Sequence, residues 1–551
     1  DALWSDIDYM RNYLDFTFDP ERYPIDQVND LISHLHDTNR HYVCIVDPGI
    51  SNKENSSYLP YWEGLAMDVF VKDYERKNNM VGNVWPGDTV FPDFPHPETE
   101  KYWFIQIKRF LDTADIDGLW LDMNEISSKC PGGCPWDYPL IPSPDLYDDP
   151  PYNPLRNPLN LSTISISSSS KSGEWYNLHN LFGISEQNMT KNILQKIKGT
   201  RAFTLTRSTF AGSGMVGAHW LGDNFATWSY LKNSIAGVLN MQMFGIPQVG
   251  ADICGFNSET TEELCTRWQQ LGAVYPFSRN HNAILMRSQE PYAFSSSHLE
   301  ISIKYLHIRY SLLPYYYTLF FQYSLNGECC VWRPMFFQYP DDEETNTLDE
   351  QFFIGDAILV APVLSKGDTT VDVYFPNSDV FYDFYTGKAI EPEDSASSGM
   401  GGWTTVEAPI DTMPMFFRGG VIVYGQLPGL NTVDSRKNEM IFHVPLSTEG
   451  IASGILDIDD GISLNISLYD ELSCSAMNNS TGGSLSCKTT NRQANEQRNV
   501  GVVYVYGVNE KVKSVQLGAT EIGFDYHDNM LLVEGIQQPM LGESWSVSWS
   551  T

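Results

Sequence analysis

Short apolar runs that stop abruptly at a carboxylate or another polar side chain recur through the first 280 residues, with amphipathic stretches between them. Gly118-Leu119-Trp120-Leu121 ends in Asp122-Met123-Asn124-Glu125, and Gly217-Ala218-His219-Trp220-Leu221-Gly222 ends in Asp223-Asn224. A continuous apolar run is what a strand buried on both faces requires, and the polar residues that follow mark the rim of a sheet. Further runs of this kind lie near 3–8, 42–47, 201–207, 247–253 and 273–279. Helical spacing fills the gaps: Val28, Leu31, Ile32 and Leu35 within 26–40, then stretches near 99–113, 186–198, 228–243, 258–271 and 297–323. Strand–helix alternation with polar groups at the carboxyl ends of strands predicts an α/β fold, a (β/α)8 TIM barrel over residues 1–330. Seven strands can be counted where the barrel needs eight, so the first is expected upstream of residue 1. Within 3–8, the two-residue period of a strand sets Asp6 and Asp8 on one face.

Residues 127–180 break the rhythm. They are Pro-rich, then Ser-rich from Ser162 to Ser172, and read as an inserted excursion. From 331 the texture changes to short strands broken by Gly, Pro and Asp, such as Val371-Asp372-Val373-Tyr374-Phe375. Two β-sandwiches are expected there, a proximal one over 331–424 and a distal one over 425–551. Asp457-Ile458-Asp459-Asp460-Gly461 lacks the later ligand positions of an EF-hand loop and reads as a turn.

A length of 551 residues exceeds what one core serves. The net charge of −34 repels nucleic acid and anionic membrane, so neither is expected as a partner. No apolar run reaches 18 residues, and Asp1-Ala2-Leu3-Trp4-Ser5-Asp6 is not a signal peptide, so any export signal is expected to lie upstream or to have been removed. Cys130/Cys134, Cys254/Cys265 and Cys474/Cys487 are close pairs without histidine at zinc spacing, so disulfides are expected; Cys44, Cys329 and Cys330 are left unassigned. Glycosylation sequons begin at Asn55, Asn160, Asn188, Asn465, Asn478 and Asn479. Together with paired cysteines they point to a secreted or extracellular protein, alternatively a vacuolar or lysosomal one. No zinc spacing, phosphate-binding glycine motif or Ser-His-Asp order is present, so neither metal nor cofactor is expected.

Taken singly, Asp122 and Asp223 read equally well as helix caps or turn residues. As a pair of strand-end acids they suggest the two carboxylates of glycoside cleavage. The segments at the strand ends resemble glycoside hydrolase family 31. They are Trp4-Ser5-Asp6-Ile7-Asp8, Val46-Asp47-Pro48-Gly49-Ile50, Trp85-Pro86-Gly87, Trp120-Leu121-Asp122-Met123-Asn124-Glu125, Thr206-Arg207-Ser208, His219-Trp220-Leu221-Gly222-Asp223-Asn224, Gly250-Ala251-Asp252-Ile253-Cys254-Gly255-Phe256 and Phe277-Ser278-Arg279-Asn280-His281. The loop holding Cys130 and Cys134 looks like that of secreted, fungal-type α-glucosidases. The resemblance implies a retaining exo-α-glucosidase with Asp122 as nucleophile and Asp223 as general acid/base. It further implies Asp6, Arg207, Asp252 and His281 as readers of the sugar hydroxyls, and Ile50, Trp85, Trp120, Met123, Trp220 and Phe256 as apolar walls. The expected partners are an oligosaccharide or α-glucan and an amino-terminal polypeptide of the same precursor, carrying the first barrel strand.

Such a site needs opposite protonation states on carboxyl groups about 5–5.5 Å apart. Arg207 is expected to keep Asp122 charged, and burial against Trp220 together with the charge of Asp122 to keep Asp223 protonated. Activity should then peak on the acid side. Glu125 reads as a structural hydrogen-bonding partner. Open alternatives are Asp252 as a helix cap, His281 as a core histidine and Trp85 as ordinary packing. At the level of function they are an α-xylosidase or transglucosidase on the same fold, or a catalytically dead carbohydrate-binding protein.

Overall fold

Five parallel strands form the spine of the amino-terminal part. The computed structural model describes residues 1–129, 163–327, 329–391, 401–494 and 497–551. It falls into two units, Asp1–Trp220 and Leu221–Thr551. Cys130, Cys134, Asn160 and much of the expected excursion lie outside the described residues.

In the first unit β1 (Ala2–Ser5), β2 (His41–Val46), β3 (Gly118–Leu121), β4 (Phe203–Thr206) and β5 (Ala218–Trp220) pair in that order. The register aligns Ile45 with Trp120 and Trp120 with Leu205. Parallel neighbours require crossover connections, and α1 (Ile25–Asp37), α2 (Thr99–Thr113) and α3 (Phe182–Lys198) lie in them. Their apolar stripes are buried: Val28, Ile32 and Leu35 of α1, and Tyr102, Trp103, Ile107 and Phe110 of α2. Leu31, expected on that stripe, is exposed.

Two local expectations fail here. β1 stops at Ser5 because the Asp6 carboxylate accepts the Ile7 N–H at 2.7 Å and caps a 3-10 turn over Ile7–Tyr9, so Asp6 and Asp8 do not share a strand face. The serine-rich stretch, which has no apolar period, is nevertheless held tightly where it is described. Ser170 Oγ donates to both oxygens of the buried Asp93 (2.7 and 2.9 Å), the Lys171 N–H adds a third bond at 2.8 Å, and Lys72 and Ser169 exchange backbone bonds at 2.9 Å.

In the second unit α4 (Trp228–Met243), β6 (Val249–Gly250), β7 (Asp252–Ile253), α5 (Glu262–Val274), β8 (Arg279–Asn280) and α6 (Ser296–Asn326) follow in order. The strand expected over 273–279 is confined to β8, because Ala273 and Val274 are the last residues of α5. That helix is buried on all sides from Leu264 to Val274, and a fully buried helix end reads like a strand by apolarity alone. Beyond α6 the chain is β-rich. A five-stranded and a two-stranded sheet share a core of Phe353, Leu359, Phe375 and Phe416. A five-stranded and a six-stranded sheet then enclose Phe442, Val503, Val533, Leu472, Leu485 and Val547. Alternating inward residues from two sheets make this last pair a β-sandwich. Disulfides join Cys254 to Cys265 and Cys474 to Cys487, as expected; Cys329 and Cys330 are also joined, and Cys44 is a buried thiol. Among the described residues no helix is long and apolar enough to cross a membrane.

Candidate active site

The register of β3 on β4 places Leu121 opposite Thr206, so the residues that leave the two strand ends, Asp122 and Arg207, are neighbours. Arg207 Nη1 lies 3.0 Å from Asp122 Oδ1. The same guanidinium grips Glu125 with two bonds, Nε to Oε1 at 2.7 Å and Nη2 to Oε2 at 3.1 Å. Glu125 is therefore a structural partner, and the acid it supports is Asp122, 8% exposed. Between them Met123 takes φ +57°, a left-handed conformation unusual for a residue with a side chain. That turn brings Glu125 back to the arginine, with Met123 Sδ 3.2 Å from Nη2. Asn124 locks the two strand ends together: its Nδ2 donates to Thr206 Oγ1 at 2.7 Å and its Oδ1 accepts the Ser208 N–H at 3.0 Å.

A set of buried acids accompanies this pair, of which only Asp47 lies in a segment that the sequence singles out. The Asp47 N–H donates to Asp15 Oδ1 at 2.7 Å. Burial pushes both carboxyls well above the usual range; for Asp47 the charges of Asp15, Asp122 and Asp6 push further, and Arg207 opposes them. Glu186 of α3 is buried, and burial raises its carboxyl too, with Asn124 acting against the rise. Glu186 sits on the buried stripe with Phe182, Thr190 and Ile193. An acid at a core position of a helix is the signal that could have found it. His219, bonded through Nδ1 to Thr206 O at 3.0 Å, is held neutral by burial with a pKa lowered to about 4.

Of the expected walls, Trp120 and Trp220 are buried and meet edge to face at 5.3 Å, with Trp4 on Trp120 at 6.1 Å. Ile50 is buried and pairs with Val90 in a small antiparallel sheet. Trp85 is 41% exposed at the turn between Gly82–Val84 and Gly87–Val90, with Lys129 Nζ 4.0 Å from its ring centre. It is thus a displayed aromatic, not core packing.

The remaining candidates belong to the second unit. Asp223 follows Gly222, which has φ +75°, and it is exposed. The expected burial of Asp223 is therefore corrected: a left-handed glycine turns the chain out to solvent. Asn224 holds the neighbouring segment, donating to Asp252 O at 3.0 Å and accepting the Phe256 N–H at 2.8 Å. Asp252 is not a helix cap. Its Oδ1 accepts Arg279 Nη2 at 2.8 Å and Nε at 3.2 Å, and both side chains are almost fully buried. Its Oδ2 has no hydrogen-bond partner among the described residues, which leaves an acceptor oriented by a buried cation. Cys254 and Gly255 then take φ +73° and +92°, and a Cβ on Gly255 would lie 2.4 Å from the backbone of Ala226. This reversal carries Phe256 to His281, where the rings stack at 5.3 Å. Both are half-buried, so His281 is not a core histidine.

The glycosyl hydrolases family 31 TIM-barrel domain matches residues 1–319, and the glycosyl hydrolase family 31 C-terminal domain matches 328–423. The chain belongs to glycoside hydrolase family 31. The barrel followed by β-rich domains is thereby borne out. The lysosomal alpha-glucosidase of Rattus norvegicus is 39% identical over 570 residues, covering 100% of this chain and 58% of the relative. The alpha-glucosidase of Mucor javanicus is 40% identical over 84% of this chain and 57% of its own length. The crystal structure of glucosidase II alpha subunit with bound alpha3-Glc2 superposes with a TM-score of 0.84 at 28% identity, covering 100% of this chain and 58% of that one. The chain thus spans under two thirds of these relatives, and the similar identities to animal and fungal enzymes do not single out the fungal type.

Proposed function

We propose that this chain forms the greater part of a retaining exo-α-glucosidase that releases glucose from the non-reducing end of maltose and longer α-glucans. The observation that carries the reading is the Asp122–Arg207 ion pair at the carboxyl end of β3, where barrel enzymes keep their chemistry. The pair keeps Asp122 charged for attack on the anomeric carbon. Asp223 gives its proton to the departing oxygen, a glycosyl ester forms on Asp122, and Asp223 then takes a proton from the water that releases glucose. Asp6, Arg207, Asp252 and His281 read the hydroxyls; Trp85 offers a flat face to the sugar C–H groups, and Phe256 stacks behind His281.

The catalytic domain is taken to run over 1–330, with sandwiches over 331–424 and 425–551. The partner is an amino-terminal polypeptide of the same precursor, a reading supported by relatives that extend well beyond the matched region. Disulfides Cys254–Cys265 and Cys474–Cys487 support an oxidising, extracellular or lysosome-like compartment. The test is turnover of 4-nitrophenyl α-glucoside against α-xyloside. Preference for the glucoside is expected. Preference for the xyloside overturns the substrate, and failure to turn over either in a folded sample that includes the amino-terminal polypeptide overturns the enzyme.

A further inference from the structure

Five of the six sequons fall within the described residues, and their surroundings differ in a way that sorts them. At Asn55, Asn465 and Asn479 the residue two positions on folds back onto the asparagine. Ser57 donates to Asn55 Oδ1 through its N–H (2.9 Å) and hydroxyl (2.5 Å). Ser467 does the same to Asn465 (3.1 and 2.6 Å) and Thr481 to Asn479 (2.9 and 2.8 Å). All three asparagines are exposed. These turns use residues two apart, so they are open to a chain that has not yet acquired its long-range contacts. They set the hydroxyl on the amide oxygen of an exposed asparagine.

The other two sequons lack this arrangement. Asn188 lies in the interior of α3, where residues two apart point to different faces. Its Thr190 is buried and accepts the Trp103 indole N–H at 2.9 Å. Asn478 is paired to Gly483 in a hairpin, and its Oδ1 accepts the Trp549 indole N–H at 2.8 Å. Asn465 has a further feature. It sits among Ile462, Leu464, Ile466 and Leu468, each between 37 and 58% exposed. The base of that loop is fixed by Asp459, which accepts the Gly461 N–H, and by Asp460, which accepts those of Ile462 and Ser463, all at 2.8 Å. A row of exposed aliphatic side chains on a fixed loop calls for a cover, and pyranose C–H faces supply one.

We infer that Asn55, Asn465 and Asn479 carry N-linked glycans, that the one on Asn465 lies over the Ile462–Leu468 row, and that Asn188 and Asn478 are unmodified. In each transfer a bond forms between Nδ2 and the anomeric carbon of the sugar. The bond from that carbon to the diphosphate of a polyprenyl-linked donor breaks, and the amide proton is lost as the diphosphate leaves. The test is the full-length gene product expressed through a eukaryotic secretory pathway, released with an amidase in oxygen-18 water and mapped by peptide mass spectrometry. Among the five described sequons, isotope label at Asn55, Asn465 and Asn479 alone is expected; label at Asn188 or Asn478, or none at Asn465, overturns the sorting. Thr481→Val removes the hydroxyl for Asn479 and leaves Ser480 in place for Asn478. It should abolish the label at Asn479 without creating one at Asn478, and a glycan shifted to Asn478 contradicts the assignment. Deglycosylated protein should bind an environment-sensitive apolar dye more strongly, and Ile466→Ser should remove that gain. An unchanged dye signal sinks the covering role.

Discussion

Two acids bracket β3, Asp117 before its first residue and Asp122 after its last, and their surroundings treat them in opposite ways. At the amino end Asp117 accepts the Tyr42 N–H at 2.8 Å and His36 Nε2 at 2.9 Å, with His41 Nδ1 at 3.5 Å. Burial works against its charge, yet the bonds from His41, His36 and the backbone hold its pKa at about 2. At the carboxyl end a single guanidinium serves Asp122 and Glu125, and the acids packed behind it are pushed up by burial. One end surrounds its acid with hydrogen-bond donors; the other sets Asp122 and Glu125 on one guanidinium, with Asp47 and Glu186 pushed up chiefly by burial. On the proposed function, what separates a stabilising strand-end acid from a reacting one is its surroundings, not the acid itself.

The comparison is broken most severely by Asp122→Asn. It should remove glucoside turnover by a factor on the order of 10^4 or more while leaving the thermal midpoint in place, as read by kinetics and calorimetry on one preparation. Arg207→Met should follow, with a loss of about 10^2- to 10^3-fold in kcat, since it removes the cation that faces the site and frees Glu125. Asp117→Asn tests the other end. It should cost about 2 kcal/mol of stability and leave kcat per folded molecule unchanged, and a matching loss of kcat would erase the distinction between the two ends.

The smallest effect belongs to Glu186→Gln, and its sign depends on pH. A carboxyl raised in the fold contributes stability that is complete below the ordinary carboxylate range and is lost as pH rises through its folded value. Asp15, Asp47 and Glu186 all have this sign. The depressed Asp117 has the opposite one, losing its contribution as pH falls toward about 2. His219, lowered to about 4, destabilises the fold as pH falls from about 6.5 toward that value. The thermal midpoint should therefore be highest on the acid side of neutrality. Glu186→Gln should flatten its fall at rising pH, with little change in kcat near the optimum. An unaltered slope in a pH series of melting curves would falsify the neutral-acid reading of this residue.

Much of the architecture was legible because burial leaves a periodic trace. The expected helices at 99–113 and 228–243 match α2 and α4 residue for residue, and the apolar centres of β2 to β5 lie where the runs predict. Arg207 was expected beside Asp122 once the resemblance had set both in the site, and Glu125 was expected as a hydrogen-bonding partner without its own partner being named. What escaped depends on partners distant in sequence. Arg279 stands opposite Asp252 only through the β7–β8 register, and Asp15 meets Asp47 across 32 positions. The exposure of Asp223 turns on one left-handed glycine, which no apolar pattern records.

The central claim is that Asp122 is the nucleophile, and a covalent trap tests it most directly. The active enzyme would be incubated with a fluorinated α-glucosyl fluoride that forms the glycosyl ester faster than water releases it, then digested and mapped by mass spectrometry. The predicted result is one sugar per molecule, attached to the peptide containing Asp122 and absent from Asp122→Asn. A label on another acid, or none while turnover of the glucoside proceeds, would contradict it.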